Sequence, residues 1–153
     1  MTKNTLRGVA AAAALAIVAT TGVALAQKKS KKEPVMWAAT DLKWATPPGA
    51  PKEVQIASLW GAMEKGHYGV LGKFAAGSKH PLHTHSADLK IVVVSGGFLT
   101  GPEGGPEKTY GPGSYLMIPG NWKHTGGCAE GADCVFFQES DGKFDVKFIE
   151  AKK

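Results

Sequence analysis

From residue 54 onward, the chain is a series of short apolar or alternating apolar–polar runs, each closed by Gly, Pro or Asn. Alternation with period two is the signature of strands, because successive side chains point to opposite faces of a sheet. The pattern predicts strands over 54–60, 67–74, 90–95, 98–100, 114–118, 134–138 and 143–149, with shorter ones over 83–85, 108–110 and 123–128. No run beyond residue 26 carries the 3.6-residue period of a helix. Twenty glycines and nine prolines supply the turns between runs. Short strands at regular spacing predict an all-β sandwich or barrel. Ahead of them, Trp37, Leu42 and Trp44 precede Pro47-Pro48-Gly49-Ala50-Pro51. Proline fixes extended backbone, so 27–52 reads as a tail and an extended arm, its tryptophans anchoring it to a domain over 53–153.

The first 26 residues break this pattern. Lys3 and Arg7 form a basic start, a small-residue apolar run follows, and Ala24-Leu25-Ala26 is a cleavage signal. That sequence predicts a signal peptide over 1–26 and a mature chain of 127 residues from Gln27, exported to a periplasmic or extracellular space. No stable membrane insertion is expected after cleavage. Without Lys3 and Arg7 the chain keeps 16 basic against 13 acidic residues, a net charge of +3. Much of the excess is the run Lys28, Lys29, Lys31 and Lys32. A solvated terminal run explains it, and no basic–aromatic stripe points to nucleic acid.

Candidate chemistry gathers in two places. His83 and His85 flank a single residue, so on a strand both face one way. His124 follows Pro119-Gly120-Asn121-Trp122-Lys123 on a distant predicted strand and can complete a set of three imidazoles. The run from Gly77 through His83 and His85 to Gly97 resembles the first motif of the cupin superfamily: glycine, five residues, His-x-His, a few residues, an acid, six residues, glycine. Gly113 through Pro119 to His124 resembles the second, with Asn121 where that motif has its second glycine; Asn tolerates the left-handed backbone needed there. The grouping of Trp44, Leu59-Trp60-Gly61, Lys73-Phe74 and Phe144-Asp145 is similar to small single-domain cupins without assigned function. The resemblance implies a jelly-roll (double-stranded β-helix) barrel and pairing into homodimers. It also implies a divalent transition metal, whether Fe, Zn, Mn, Ni or Cu, held by His83, His85 and His124.

With six residues between it and Gly97, Lys90 stands where the motif has its acid. Three alternatives follow. Lys90 lies outside the site and the histidines hold the metal alone; Asp88 substitutes for the acid; or the histidines line a metal-free pocket. A lysine inside the barrel would have a lowered pKa and would suit an anionic ligand. Tyr115, Phe136 and Gln138 alternate in a way that predicts inward faces, with Gln138 a hydrogen-bonding candidate for a small-molecule ligand. His80 reads as a polar loop residue and His67 as a strand start. Cys128 and Cys134 bracket the turn-like Ala-Glu-Gly-Ala-Asp. An even pair in an exported chain predicts a disulfide rather than a metal or redox pair.

Three protein ligands with open positions are typical of catalytic metal sites. Cupins with three-histidine iron sites include thiol and diketone dioxygenases, so the resemblance implies a metal-dependent oxygenase acting on a small molecule. A cupin that binds or senses a small ligand without turnover is the other expectation. No residue is assigned a catalytic role from sequence.

Overall fold

A computed structural model describes residues 33–150; the expected signal peptide and the lysine run lie outside them. Ten strands form: β1 (Val54–Ala62), β2 (Gly66–Phe74), β3 (Lys79–Thr84), β4 (Leu89–Ser95), β5 (Phe98–Pro102), β6 (Lys108–Tyr110), β7 (Tyr115–Ile118), β8 (His124–Cys128), β9 (Cys134–Ser140) and β10 (Lys147–Phe148). Among the described residues the helical content is one 3₁₀ turn at Ala39–Asp41, and no helix is long and apolar enough to cross a membrane.

Two antiparallel five-stranded sheets face each other, ordered β1-β2-β9-β4-β7 and β10-β3-β8-β5-β6. From β3 to β10 the chain passes repeatedly between the sheets, the arrangement of a jelly roll. Period-two burial is clearest in β9, where Cys134, Phe136, Gln138 and Ser140 are buried and the residues between them only partly so. In β4 it is Leu89, Ile91 and Val93 that turn inward. These residues join Phe98, Leu116, Ile118 and Phe136 in the core between the sheets. The opposite face of β4 and β7 leaves Val92, Val94, Tyr115 and Met117 exposed. Tyr115, expected inside, is 61% exposed because Leu116 and Ile118 take the inward register of β7.

The arm is fastened by backbone. Ala45 and Ile56 exchange both N–H···O bonds, at 3.0 and 2.9 Å. Trp37 Nε1 donates to the Leu59 carbonyl at 3.1 Å, and the Lys73 ammonium lies 4.6 Å from the centre of the Trp44 ring. This brings Pro47–Pro51 against one side of the space between the sheets. Elsewhere Cys128 and Cys134 are disulfide-bonded, joining the end of β8 to the start of β9. The expected strand over 143–149 shrinks to Lys147–Phe148. The Phe144 N–H instead bonds the Met63 carbonyl at 2.7 Å, while the Asp145 carboxylate holds Ser86.

Candidate metal centre

β3 and β8 pair so that His83 and His124 stand directly opposite each other. Opposed side chains on one face of an antiparallel pair are neighbours, and His85 lies two residues beyond His83 on the same face. The ring centroids are 4.4 Å apart for His83–His124, 4.9 Å for His83–His85 and 5.2 Å for His85–His124. Each ring offers one ligand atom, and these three atoms lie within 4.8 Å of one another. All three residues are buried.

The protons on these rings are fixed by what surrounds them. His83 Nδ1 donates to the Pro81 carbonyl at 2.7 Å, His85 Nδ1 to the Asp145 carbonyl at 2.6 Å and His124 Nδ1 to the Trp122 carbonyl at 2.9 Å. A carbonyl oxygen can only accept, so each Nδ1 carries the hydrogen and each Nε2 keeps its lone pair. Burial disfavours a second proton: it lowers the pKa of His83 and His124 and brings that of His85 down to about 4. Three neutral imidazoles thus bring lone pairs together, with their other nitrogens tied to backbone oxygens as metal-ligating histidines usually are. Such a set lacks a donor among its own members and fits a transition-metal ion. Trp122 stacks on His124, with ring centroids 5.4 Å apart and planes 11° from parallel, and so braces the third ring.

The second histidine motif is stapled to the first. The Asn121 N–H donates to the His85 carbonyl at 2.7 Å, and the Gly120 N–H donates to Asp88 Oδ1, also at 2.7 Å. Asn121 takes φ 63°, the left-handed conformation in which Asn substitutes for glycine. On the other side of His85, the Asp145 carboxylate accepts from the Ser86 N–H at 2.7 Å and from Ser86 Oγ at 2.6 Å. Those two bonds hold its pKa below the usual carboxylate range.

Two expected pocket residues lie elsewhere. Asp88 is exposed and spends an oxygen on Gly120, so it is no substitute ligand. Lys90 points away from the core between Leu89 and Ile91, bonds Glu139 Oε1 at 3.1 Å and lies 3.6 Å from Asp141 Oδ2. Its hydrogen bond to Glu139, followed by the charge of Asp141, raises its pKa instead of lowering it. The register of the motif explains the difference. Gly96, not Gly97, has the left-handed backbone (φ 73°), and a Cβ there would come 2.5 Å from the Asp133 carbonyl oxygen. With six residues between it and Gly96 stands Leu89, 2% exposed and lining the same cavity as the three histidines. The slot for an acid therefore holds a leucine. Among the described residues lining this cavity there is no carboxylate.

The cavity measures about 430 Å³. Its walls include Leu89, Ile91, Ile118, Phe136 and Phe144, with Val146 and Phe148 half in solvent at the edge. Gln138 does line it, across from the histidines, and its Nε2 donates to Tyr68 Oη at 2.8 Å. Tyr68 is buried and its pKa is pushed up to about 12, so the phenol keeps its proton. His80 also lines the cavity, from within β3 and not from a loop. Period two would turn it away from His83, three residues on. The pairing of β3 with β8 is irregular between those residues, where Pro81 interrupts the ladder, and the irregularity brings both rings to the cavity.

The profile of the domain of unknown function DUF4437 matches residues 26–147. No curated protein matches the chain. Among solved structures it is similar to the polyketide cyclase RemF from Streptomyces resistomycificus, at 23% identity and TM-score 0.63, over 77% of this chain and 87% of that one. An RmlC-like cupin from Ralstonia eutropha gives 20% identity and TM-score 0.63, over 79% and 78%. The DMSP lyase DddQ from Ruegeria pomeroyi gives 16% identity and TM-score 0.59, over 74% and 64%. At these identities the likeness is one of fold, and the fold is that of the cupins. With its profile matched over most of its length, the chain belongs to the DUF4437 family of domains of unknown function.

Proposed function

We propose that the protein is an exported metalloprotein that holds one divalent transition ion on His83, His85 and His124 and acts on a small molecule in the adjoining cavity. The observation that carries this reading is the convergence of three buried Nε2 lone pairs whose Nδ1 atoms are all committed to carbonyls. Imidazole donors suit Zn, Cu, Fe and Ni, whereas Mn favours oxygen ligands. With Leu89 in the acid slot, the site favours the first group. When bound, such an ion supplies Lewis acidity, or redox chemistry with oxygen if it is iron or copper. The chain's own contribution is to orient the ligating rings through Pro81, Asp145 and Trp122, and to exclude water with apolar walls.

Enzymatic turnover, of the oxygenase type, is the function we favour. A cavity that leaves one side of three histidines free gives a substrate access to the ion's open positions. The structures it resembles include a polyketide cyclase and a DMSP lyase. The test is elemental analysis of mature protein purified without chelator, repeated for His83→Ala and His124→Ala, alongside oxygen-uptake assays. About one equivalent of metal in the parent and loss from both variants is expected. A metal-free parent, or a variant that keeps its metal, refutes the ligand assignment. Saturable ligand binding with no turnover by the loaded protein would leave the binding or sensing role instead.

A further inference from the structure

The metal reading uses three of the four histidines that line the cavity, and His80 is the fourth. Its ring meets Phe74 edge-on at 4.3 Å, and its Nε2 is a buried polar atom with no hydrogen-bond partner. Buried polar groups are normally paired, because leaving one unpaired costs about 1–3 kcal/mol. A Cβ on Gly126 would stand 3.6 Å from both His80 Nδ1 and His83 Cε1. The two rings therefore flank one point on the wall, and glycine leaves that point open. The bulge at Pro81 turns an otherwise outward side chain into the cavity without giving it a protein partner.

The remaining wall narrows the kind of molecule that fits. It is built largely of aliphatic and aromatic side chains. Among the described residues Lys79 is the one cationic side chain at its border, and it is committed to Glu107 at 2.8 Å. Away from the three-histidine point nothing on the wall would balance a charged group, and desolvating one there is costly. We infer that His80 is a specificity-determining anchor for a ring-containing ligand that carries two oxygen functions and no charge beyond the end held at the three-histidine point. One function is held at the three-histidine point and the other, a hydroxyl or carbonyl further along the ring, hydrogen-bonds the His80 imidazole. This rests on the metal reading and adds to it the class of substrate and the residue that selects it.

Hydroxamic acids, which chelate metal through two oxygens, test both parts. Calorimetric titration of zinc-loaded protein would compare benzohydroxamic acid with its 3-hydroxy, 4-hydroxy and 4-carboxy derivatives, in the parent, His80→Phe and His80→Gln. The parent should bind one hydroxylated probe about tenfold more tightly than the unsubstituted one, the worth of one good hydrogen bond. It should bind the carboxylated probe more weakly. His80→Phe should abolish the hydroxyl preference at unchanged zinc stoichiometry and unchanged affinity for the unsubstituted probe; His80→Gln should restore part of it. A parent indifferent to the hydroxyl groups, or a preference that survives in His80→Phe, overturns the role of His80. Tighter binding of the carboxylated probe overturns the exclusion of charge beyond that end. Failure of the parent to hold zinc, or of every probe to bind it, overturns the metal reading itself and is read before any variant is compared.

Discussion

Replacing Leu89 with glutamate restores an acid where the cupin motif has one, and replacing Lys90 does so where counting back from Gly97 would put it. The two variants differ by one residue and should behave as opposites. Leu89 is 2% exposed, and burying its side chain is worth about 1.5–3 kcal/mol. A carboxylate in its place loses that burial and must be desolvated or protonated, which costs several kcal/mol more when no cation is near. Metal-free Leu89→Glu should therefore lose on the order of 4 kcal/mol. At about 4–8 °C per kcal/mol for a domain near 100 residues, its melting midpoint falls by roughly 20 °C. Adding zinc supplies the missing counter-charge, and ligand binding stabilises in proportion to the logarithm of affinity. The zinc-induced rise in midpoint should then be larger for Leu89→Glu than for the parent. Lys90→Glu acts on the outer face, beside Glu139 and Asp141, and should leave zinc affinity unchanged. Thermal melts of chelator-treated protein, with and without zinc, and a competition titration for the dissociation constant read all of this. A metal-free Leu89→Glu midpoint within about 3 °C of the parent, or tighter zinc binding by Lys90→Glu, would refute the register.

Two further outcomes follow from other parts of the chain. His85 has a pKa of about 4 in the fold against an ordinary value of 6.5. Between those values the unfolded chain takes up the proton that the folded one refuses, so acid favours unfolding. The metal-free protein should lose about 3 kcal/mol through this residue as pH falls from 6.5 to 4, with no loss from it above 6.5. Urea titrations of parent and His85→Gln across that window measure it, and equal slopes in the two proteins would count against the assignment. Export and the disulfide are tested together: protein recovered from the periplasm or medium should begin at Gln27 and carry no thiol that alkylates before reduction. Replacing Cys128 and Cys134 jointly with serine should cost about 2 kcal/mol in the chain-entropy account of a short closed loop. Recovery with residues 1–26 attached would contradict the signal peptide, and free thiols in the exported protein would contradict the disulfide.

Inside a strand, counting by twos sufficed. It put Phe136 and Gln138 inward, and it faced His83 and His85 the same way. Pairing could not be counted: nothing in the sequence states that His124 lies opposite His83, and only the resemblance to a two-motif pattern suggested it. The failures share a cause. At Gly96-Gly97 two adjacent glycines satisfy the motif's spacing, and sequence alone does not show which has positive φ; the choice moved the acid slot from Leu89 to Lys90 and so across the sheet. A one-residue slip exchanges every inward residue for an outward one, and here it exchanged an apolar wall for a lysine. In β7 the same slip sent Tyr115 outward and Leu116 inward.

His80 was hidden by the opposite effect, a real break in the period. It lies three positions before His83, so a regular strand would place one of them outside. Proline cannot donate to the ladder and is tolerated in strands at edges and bulges, and Pro81 sits at the irregularity between the two histidines. The signal was therefore present as His-Pro-x-His, a proline with a histidine on each side at the entry to the strand predicted over 83–85. Its consequence reaches the chemistry. Without the bulge, the wall beside the three ligands would offer a substrate no polar group on this strand, and the ion would hold an apolar molecule by one end only. With it, the same six-residue strand carries both a ligand for the ion and a group that can sense what lies further along the bound molecule, so recognition and metal binding share one element and one pairing register.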